Sequence, residues 1–264
     1  MSRTLPTGMV AKLTEGEVEL LHALELKGID GHYGNQRKTI IFSFGAVSRG
    51  AIYALKARGF RDITICILRP DHEVREEVPD CHYVRVREGK DGEARMLFIE
   101  HDGTEVPLLD LISQSDIIVN GTFQNPDHPI LFVAEKERSC LKPGCLIIDV
   151  SCDEGMGFFF AKPTTFKNPI FKYETIDYYA VDHTPSYLWE SASRSISAAL
   201  IVYLPTVVAG RDSWQQSETI RRAVNIDGGV IQDPSILSFQ KREPHYPHAH
   251  INPVGNAAPN KVDA

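Results

Sequence analysis

The 264-residue chain has five cysteines (Cys66, Cys81, Cys140, Cys145 and Cys152) and no CxxC pair among them. That spacing argues against a disulfide framework, and several of the five lie in or beside apolar runs, where a thiol acts as a small buried hydrophobe in a reducing cytoplasm. Basic runs interleaved with aromatics are also lacking, and the formal charge is −7, so nucleic acid is not an expected partner. No apolar stretch approaches the roughly 20 residues of a membrane span. The opening MSRTLPTGMVAK lacks the long apolar core of a signal peptide. Internal repeats are absent too. What remains is a cytoplasmic globular protein of one large or two small domains.

Lys38 to Gly59, KTIIFSFGAVSRGAIYALKARG, carries the most information. Thr39–Phe44 is apolar, β-branched and aromatic, which predicts a buried parallel strand. An amphipathic helix follows, with Ala51, Ala54 and Leu55 on one face, and Ile63–Leu68 predicts a second strand after Gly59. Strand, glycine turn, helix and strand make a βαβ unit, whose first turn can hold a pyrophosphate on free helix N–H groups. In G-x-G-x-x-G spacing the three positions are Ser43, Gly45 and Ser48, with Gly50 beyond. Gly45 lets the backbone approach a phosphate, and Ser43, Ala46, Val47 and Ser48 complete the expected cradle. A purely structural crossover is the alternative. The second strand ends at Arg69-Pro70, where an NAD site usually offers an acid to the ribose. A guanidinium there suits a 2′-phosphate, so NADP is expected over NAD, against the alternative of a solvated surface arginine.

Further along, Glu17–Lys27 predicts a short amphipathic helix with Val18, Leu21 and Leu24 facing a core. Tyr83–Arg87 and Met96–Glu100 predict a hairpin inserted outside the parallel sheet. Leu108–Ser113 predicts a helical turn, Asp116–Asn120 a buried strand, Phe132–Cys140 a helix, and Leu146–Val150 another strand. Tyr178–Val181 is expected to be the last strand, and Ser186–Val208 one long helix with Ile196, Leu200 and Leu204 on a stripe. From Pro244 periodicity disappears, which predicts a disordered tail. His245, His248 and His250 lie in it without a rigid scaffold, so no metal site is expected.

Alternating strands and helices imply an α/β fold with a doubly wound parallel sheet and flanking helices. The domain reading is an N-terminal segment and linking helix (1–35), a dinucleotide-binding domain (36–185), C-terminal helices (186–243) and the tail (244–264). Ligands of such sheets lie beyond the carboxyl ends of the strands. Small or polar clusters stand there: Gly45 and its neighbours, Arg69, Asn120-Gly121-Thr122, Ser151-Cys152-Asp153 and Asp182-His183-Thr184.

Read in order, several motifs resemble the alanine dehydrogenase and transhydrogenase family, and more closely its N(5)-(carboxyethyl)ornithine synthase branch. They are LHALELKGIDGHYG (21–34), FGAVSRGA (44–51), LKPGCLIIDVSCDEGMG (141–157), KPTTFKNPIF (162–171) and YAVDHTPS (179–186). The resemblance covers roughly Gly16 to Gly210, and the run DVSCDEG, PTTF, VDHTP is its specific part. It implies a Rossmann-type NAD(P)-binding domain and hydride transfer to a C=N carbon. Members of the branch form an imine between pyruvate and an amino acid's side-chain amine and reduce it with NADPH to an N-carboxyethyl amino acid; alanine dehydrogenases reduce the imine of pyruvate and ammonia with NADH.

By the same resemblance, Asp153 falls beside the nicotinamide ribose and substrate, where a carboxylate could relay a proton or orient the imine. An Asx turn after a strand is its structural alternative. His183 falls near the carboxamide and substrate, or is simply a helix-entry residue. Asn120 and Thr122, flanking Gly121, fall where ribose hydroxyls would bond, or hold a turn. Family members also carry a whole domain before the helix matching Glu17–Lys27, whereas only about 15 residues precede it here, too few for a domain. A separate substrate-domain subunit and a homo-oligomer are therefore among the expected partners. Three readings stand: an NADP-linked imine-reducing oxidoreductase or its cofactor-binding part; an NAD-linked alanine dehydrogenase; and a non-catalytic nucleotide-binding subunit or truncated product.

Overall fold

A computed structural model describes residues 7–68, 77–90, 95–125 and 127–251, with side chains from Glu15 onward. Arg69 lies outside the described residues. The chain divides at Ala199–Leu200 into two compact units.

The first unit opens with helix α1 (Thr7–Lys27), longer than the Glu17–Lys27 that periodicity predicts. Then come β1 (Thr39–Phe42), α2 (Ala46–Ala57) and β2 (Ile63–Ile67), the βαβ unit expected from composition. Strands β3 (His82–Glu88), β4 (Met96–Ile99) and β5 (Glu105–Pro107) lead into α3 (Leu108–Gln114) and β6 (Ile117–Asn120). Next come β7 (Leu131–Val133), a 3-10 turn over Glu135–Cys140, β8 (Leu146–Asp149) and β9 (Gly157–Phe158). Strands β10 (Ile170–Tyr173) and β11 (Ile176–Tyr179), a 3-10 turn over Thr184–Leu188, and α4 (Trp189–Ile201) follow.

Among the described residues nine strands form one sheet in the order β10-β11-β8-β6-β1-β2-β3-β4-β5. In the parallel centre, β3-β2-β1-β6-β8-β11, the chain adds strands outward from β1 in one direction and then from β6 in the other, and a crevice at the carboxyl ends is expected at that switch point. Residues of β1 alternate between two apolar layers. Ile40 and Phe42 face α3, Phe132 and Tyr178, while Ile41 faces Leu20 and Leu24 of α1 and Ile52 and Leu55 of α2. Both faces are covered, which is why the central strands read as unbroken apolar runs.

Four departures from the sequence reading have local causes. The pair β3–β4 is no insertion: β3 lies parallel to β2 in the sheet, with Val84 and Val86 buried, and β4 and β5 extend the edge antiparallel. Phe132 belongs to a strand, stacked on Phe42 at 3.9 Å, and only Glu135–Cys140 coils, its start capped by the Glu137 carboxylate on the Ala134 amide. Ile176–Tyr179 is joined at the sheet edge by antiparallel β10, which the sequence reading lacks. The helix expected over Ser186–Val208 breaks after Ile201, and α5 (Leu204–Val208) starts anew. Pro205 cannot donate to, and its ring would clash with, the carbonyl of Ile201 four residues back. Its stripe of Ile196, Leu200 and Leu204 is exposed.

The second unit holds α5, α6 (Arg211–Gln216), α7 (Glu218–Ala223), a hairpin of β12 (Ile226–Asp227) and β13 (Val230–Ile231), and α8 (Pro234–Phe239). The segment read as tail follows a defined course as far as Ile251. Buried His248 donates from Nδ1 to the Glu243 carbonyl at 3.0 Å and accepts the Ile231 amide on Nε2 at 3.0 Å. Those bonds spend the imidazole on backbone groups. Residues 252–264 lie outside the described residues.

Candidate cofactor site at the carboxyl ends of the strands

The turn after β1 is built around Ser43, not Gly45. Ser43 has φ +81°, and its Oγ accepts the Gly45 amide at 3.2 Å, which stabilises a conformation most side chains avoid. Gly45 has φ −82° and ψ −172°, ordinary extended backbone, and caps α2 with no side-chain hydrogen bond. The first-turn amides of this 12-residue helix are thus left without a side-chain acceptor at the cap. Ser48 is buried, and its hydroxyl is 3.3 Å from the Phe42 carbonyl and 3.4 Å from Ser43 Oγ. A Cβ on Gly121 would stand 2.5 Å from Ser48 Oγ, so the glycine lets β6 leave the sheet tight against the start of α2.

A cleft of about 200 Å³ opens at this point, lined by Glu15 of α1, Val47 of α2, Gly121–Gln124 past β6, and Val150, Ser151 and Asp153 past β8. Thr122 Oγ1 and Gln124 Nε2 are buried and have no hydrogen-bond partner among the described residues. Unmade bonds of this kind cost about 1–3 kcal/mol each, which is tolerated where a ligand completes them. Gln124 is anchored by its other end, its Oε1 accepting the Ile130 amide at 2.6 Å. Phe123 projects at the cleft, 95% exposed.

Of the predicted residues, Val47, Gly121, Thr122 and Asp153 line the cleft together. Asn120 takes its structural alternative: Nδ2 donates to Asp149 Oδ1 at 2.9 Å, and Oδ1 accepts the Thr122 amide at 3.2 Å. Burial, then the charge of Asp182, pushes the Asp153 carboxyl above its ordinary value. His183 has φ +62° at the start of a 3-10 turn, is largely exposed, and pairs with Asp182 at 3.0 Å; it is not part of the cleft lining. Ser43, Gly45, Ala46 and Ser48 are not part of the cleft lining; Gly45 caps α2 and Ala46 begins it.

Sequence reasoning missed Gln124, which lies just past the strand-end cluster, and the network around Asp149. Asp149 is fully buried at the end of β8. Its Oδ1 accepts from Asn120 and from the Cys152 amide at 3.2 Å, and its Oδ2 accepts the Tyr178 hydroxyl at 2.6 Å. Burial nonetheless outweighs these donors and pushes its carboxyl up to about 7. The Cys152 thiol is pushed up to about 12, by burial first and then by Asp182, Glu19, Asp149 and Asp153, so it is no nucleophile. Glu15 and Glu19 carry no local signal. They arrive because α1 crosses α2 so closely that a Cβ on Gly16 would lie 2.0 Å from the Val47 carbonyl oxygen. Lys27 to Asp177 at 2.7 Å and His22 to Tyr179 at 2.8 Å tie the same helix to β11.

Known proteins resemble the chain in sequence and in fold. Over 93 residues the chain is 38% identical to an N(5)-(carboxyethyl)ornithine synthase of Clostridium botulinum, covering 35% of this chain and 29% of that one. It is 26% identical over 127 residues to an alanine dehydrogenase of Halomonas elongata, covering 48% and 32%. The matches thus span about a third of these relatives' length. An L-alanine dehydrogenase structure shares the fold with TM-score 0.65 at 14% identity, covering 89% of this chain and 64% of that one. A transhydrogenase from Sinorhizobium meliloti does so with TM-score 0.56 at 14% identity, covering 81% and 60%. The family pattern of the alanine dehydrogenase/PNT C-terminal domain matches residues 37–234, three quarters of the chain, and the chain belongs to that family.

Proposed function

We propose that the cleft binds a nicotinamide dinucleotide and that the protein is the cofactor-binding part of an oxidoreductase reducing a C=N bond. The observation that carries this reading is the pair of orphaned polar atoms, Thr122 Oγ1 and Gln124 Nε2, on two residues lining a cleft beside an uncapped helix start. The amides at the start of α2 would hold the pyrophosphate, with Gly45 and Ala46 giving close approach. Thr122 and Gln124 would bond the ribose or carboxamide. Bound there, a nicotinamide supplies the hydride.

The chain's own residues bind, orient and manage protons. Asp153, at the cleft and with its carboxyl raised, can hold a proton nearer neutral pH than an ordinary aspartate and pass it to a nitrogen. The similarity to N(5)-(carboxyethyl)ornithine synthases over about a third of this chain favours a keto acid and an amino-acid amine as the reacting pair. Arg69, a cation where NAD sites usually place an acid, favours NADP. NAD-linked alanine dehydrogenase activity is the second reading, favoured by the likeness to the Halomonas enzyme.

Thr122→Val tests the cleft. The isosteric change deletes an unsatisfied buried hydroxyl, so the ligand-free protein should gain about 1–2 kcal/mol in urea unfolding. NADPH affinity, followed by fluorescence enhancement, should fall about twofold to tenfold. Stability and affinity moving in opposite directions supports the reading. A variant that is stabilised and binds NADPH unchanged would refute Thr122 as a ligand contact.

A further inference from the structure

The cleft lies past β6 and β8, on one side of the switch point, and its charged lining residues, Glu15 and Asp153, are both acids. A dinucleotide laid across that point puts one half over β6, β8 and β11 and the other over β1, β2 and β3. On the second side the turn after β1 brings an aromatic ring and a cation into contact. Phe44 stands between Ser43, whose amide donates to the Cys66 carbonyl of β2 at 2.9 Å, and Gly45, which caps α2. Its ring meets Tyr83 of β3 edge to face, 5.4 Å between centroids, and the Tyr83 hydroxyl accepts the Val78 amide at 2.6 Å. Phe44 is thus braced beside the carboxyl end of β2.

Arg49 reaches that ring from the first turn of α2, its amide bonded to the Gly45 carbonyl at 3.0 Å. Side chains on a helix lean toward its amino end, and the guanidinium carbon comes to lie 4.0 Å from the centre of the Phe44 ring. A guanidinium over a ring face keeps five N–H donors around its own edge, where phosphate oxygens can meet two at once. The contact with Phe44 already removes part of the rotamer freedom that a long, flexible side chain loses on binding. Charge therefore differs across the turn, with acids at the cleft and a positioned cation beside β2. An extra phosphate on a dinucleotide is repelled from the first and drawn to the second.

We propose that Arg49, seated on Phe44, grips the 2′-phosphate on the adenosine half of NADP(H). It thereby selects the cofactor and fixes the direction in which the dinucleotide lies, nicotinamide over the cleft. This rests on the dinucleotide reading of the cleft. Arg69 follows β2 by two residues in sequence, and a phosphate monoester with roughly 1.5–2 negative charges near neutral pH accommodates more than one cation. Binding here is hydrogen bonding and charge pairing, and no covalent bond forms or breaks.

Calorimetric titration of the full chain with 2′,5′-ADP and 5′-AMP, alongside NADPH and NADH, isolates the phosphate. In wild type the 2′-phosphate should tighten binding in both pairs by roughly tenfold to a hundredfold. Arg49→Gln, which keeps most of the stem over Phe44 and removes the charge, should take about tenfold from each preference. Its affinity for NADH and 5′-AMP should stay within about twofold of wild type, because neither carries the phosphate. Phe44→Leu keeps the cation and removes its platform, so it should lower the preference by about twofold to fivefold. Circular dichroism confirms that each variant folds, and misfolding of one leaves the other to decide. A folded Arg49→Gln or Phe44→Leu that keeps the full wild-type preference overturns the proposal. So does an Arg49→Gln that loses NADH and NADPH equally, since the arginine would then serve the fold or the pyrophosphate. Equal affinity of wild type for NADPH and NADH overturns this inference while the cleft reading stands; binding of neither overturns both.

Discussion

The buried Asp149 carboxyl makes the stability of the protein depend on pH with a sign opposite to that of an aspartate whose folded pKa is lowered by an ion pair. Its value moves from 3.8 to about 7, through burial, only partly opposed by Tyr178, Cys152 and Asn120. Below pH ~4 it is protonated in both the folded and unfolded chains and costs nothing. Between pH ~4 and ~7 the unfolded chain releases the proton first, so unfolding becomes progressively easier. At about 1.4 kcal/mol per pH unit over an interval of about three units, the loss reaches roughly 4 kcal/mol, as an upper bound. Glu19, raised in the same direction, prolongs the decline. Asp116 and Glu137 act oppositely. Burial lifts them, but Lys142 and the Lys38 amide, and the Ala134 amide and Arg95, more than reverse the lift. Their stabilisation is lost only as pH falls through their lowered folded values, below the window in question. Urea unfolding followed by far-ultraviolet circular dichroism at pH 5, 6, 7 and 8 should therefore show a falling free energy. Asp149→Asn should flatten most of that fall, its amide oxygen still accepting from Asn120 and Cys152. A wild-type stability that is level or rises across this range would refute the assignment of a buried, poorly ionised Asp149.

Two other substitutions separate packing from ligand contact. Gly16→Ala would gain about 1 kcal/mol from helix propensity alone, but its Cβ meets the Val47 carbonyl oxygen at 2.0 Å, so we expect overpacking of about 1–3 kcal/mol to dominate. A net stabilisation in urea unfolding would show that α1 does not press on α2. Arg69→Ala should narrow the preference for NADPH over NADH by roughly tenfold to a hundredfold, the value of a phosphate clamp of about 1.5–3 kcal/mol. Equal binding of the two cofactors by wild type would sink the NADP assignment.

Much of this protein is legible in its residues because the information is local. Ile40, Ile41 and Phe42 alternate into two apolar layers, and a strand buried on both faces must be apolar throughout, so the run itself declares its environment. Small and polar residues mark where those strands end, which is why Gly121, Thr122 and Asp153 are legible as residues at the carboxyl ends of β6 and β8. Tertiary structure decided what locality cannot carry. Whether Phe132 joins a helix or a strand depended on Phe42 waiting to stack on it, and whether His82–Glu88 joins the sheet depended on the open edge of β2. Glu19 reads as one more polar residue on an amphipathic helix. Only the close crossing of α1 over α2 and its ties to β11 bury that carboxyl near Asp149, 130 positions away, and a buried charge is set by its surroundings rather than by its neighbours in sequence.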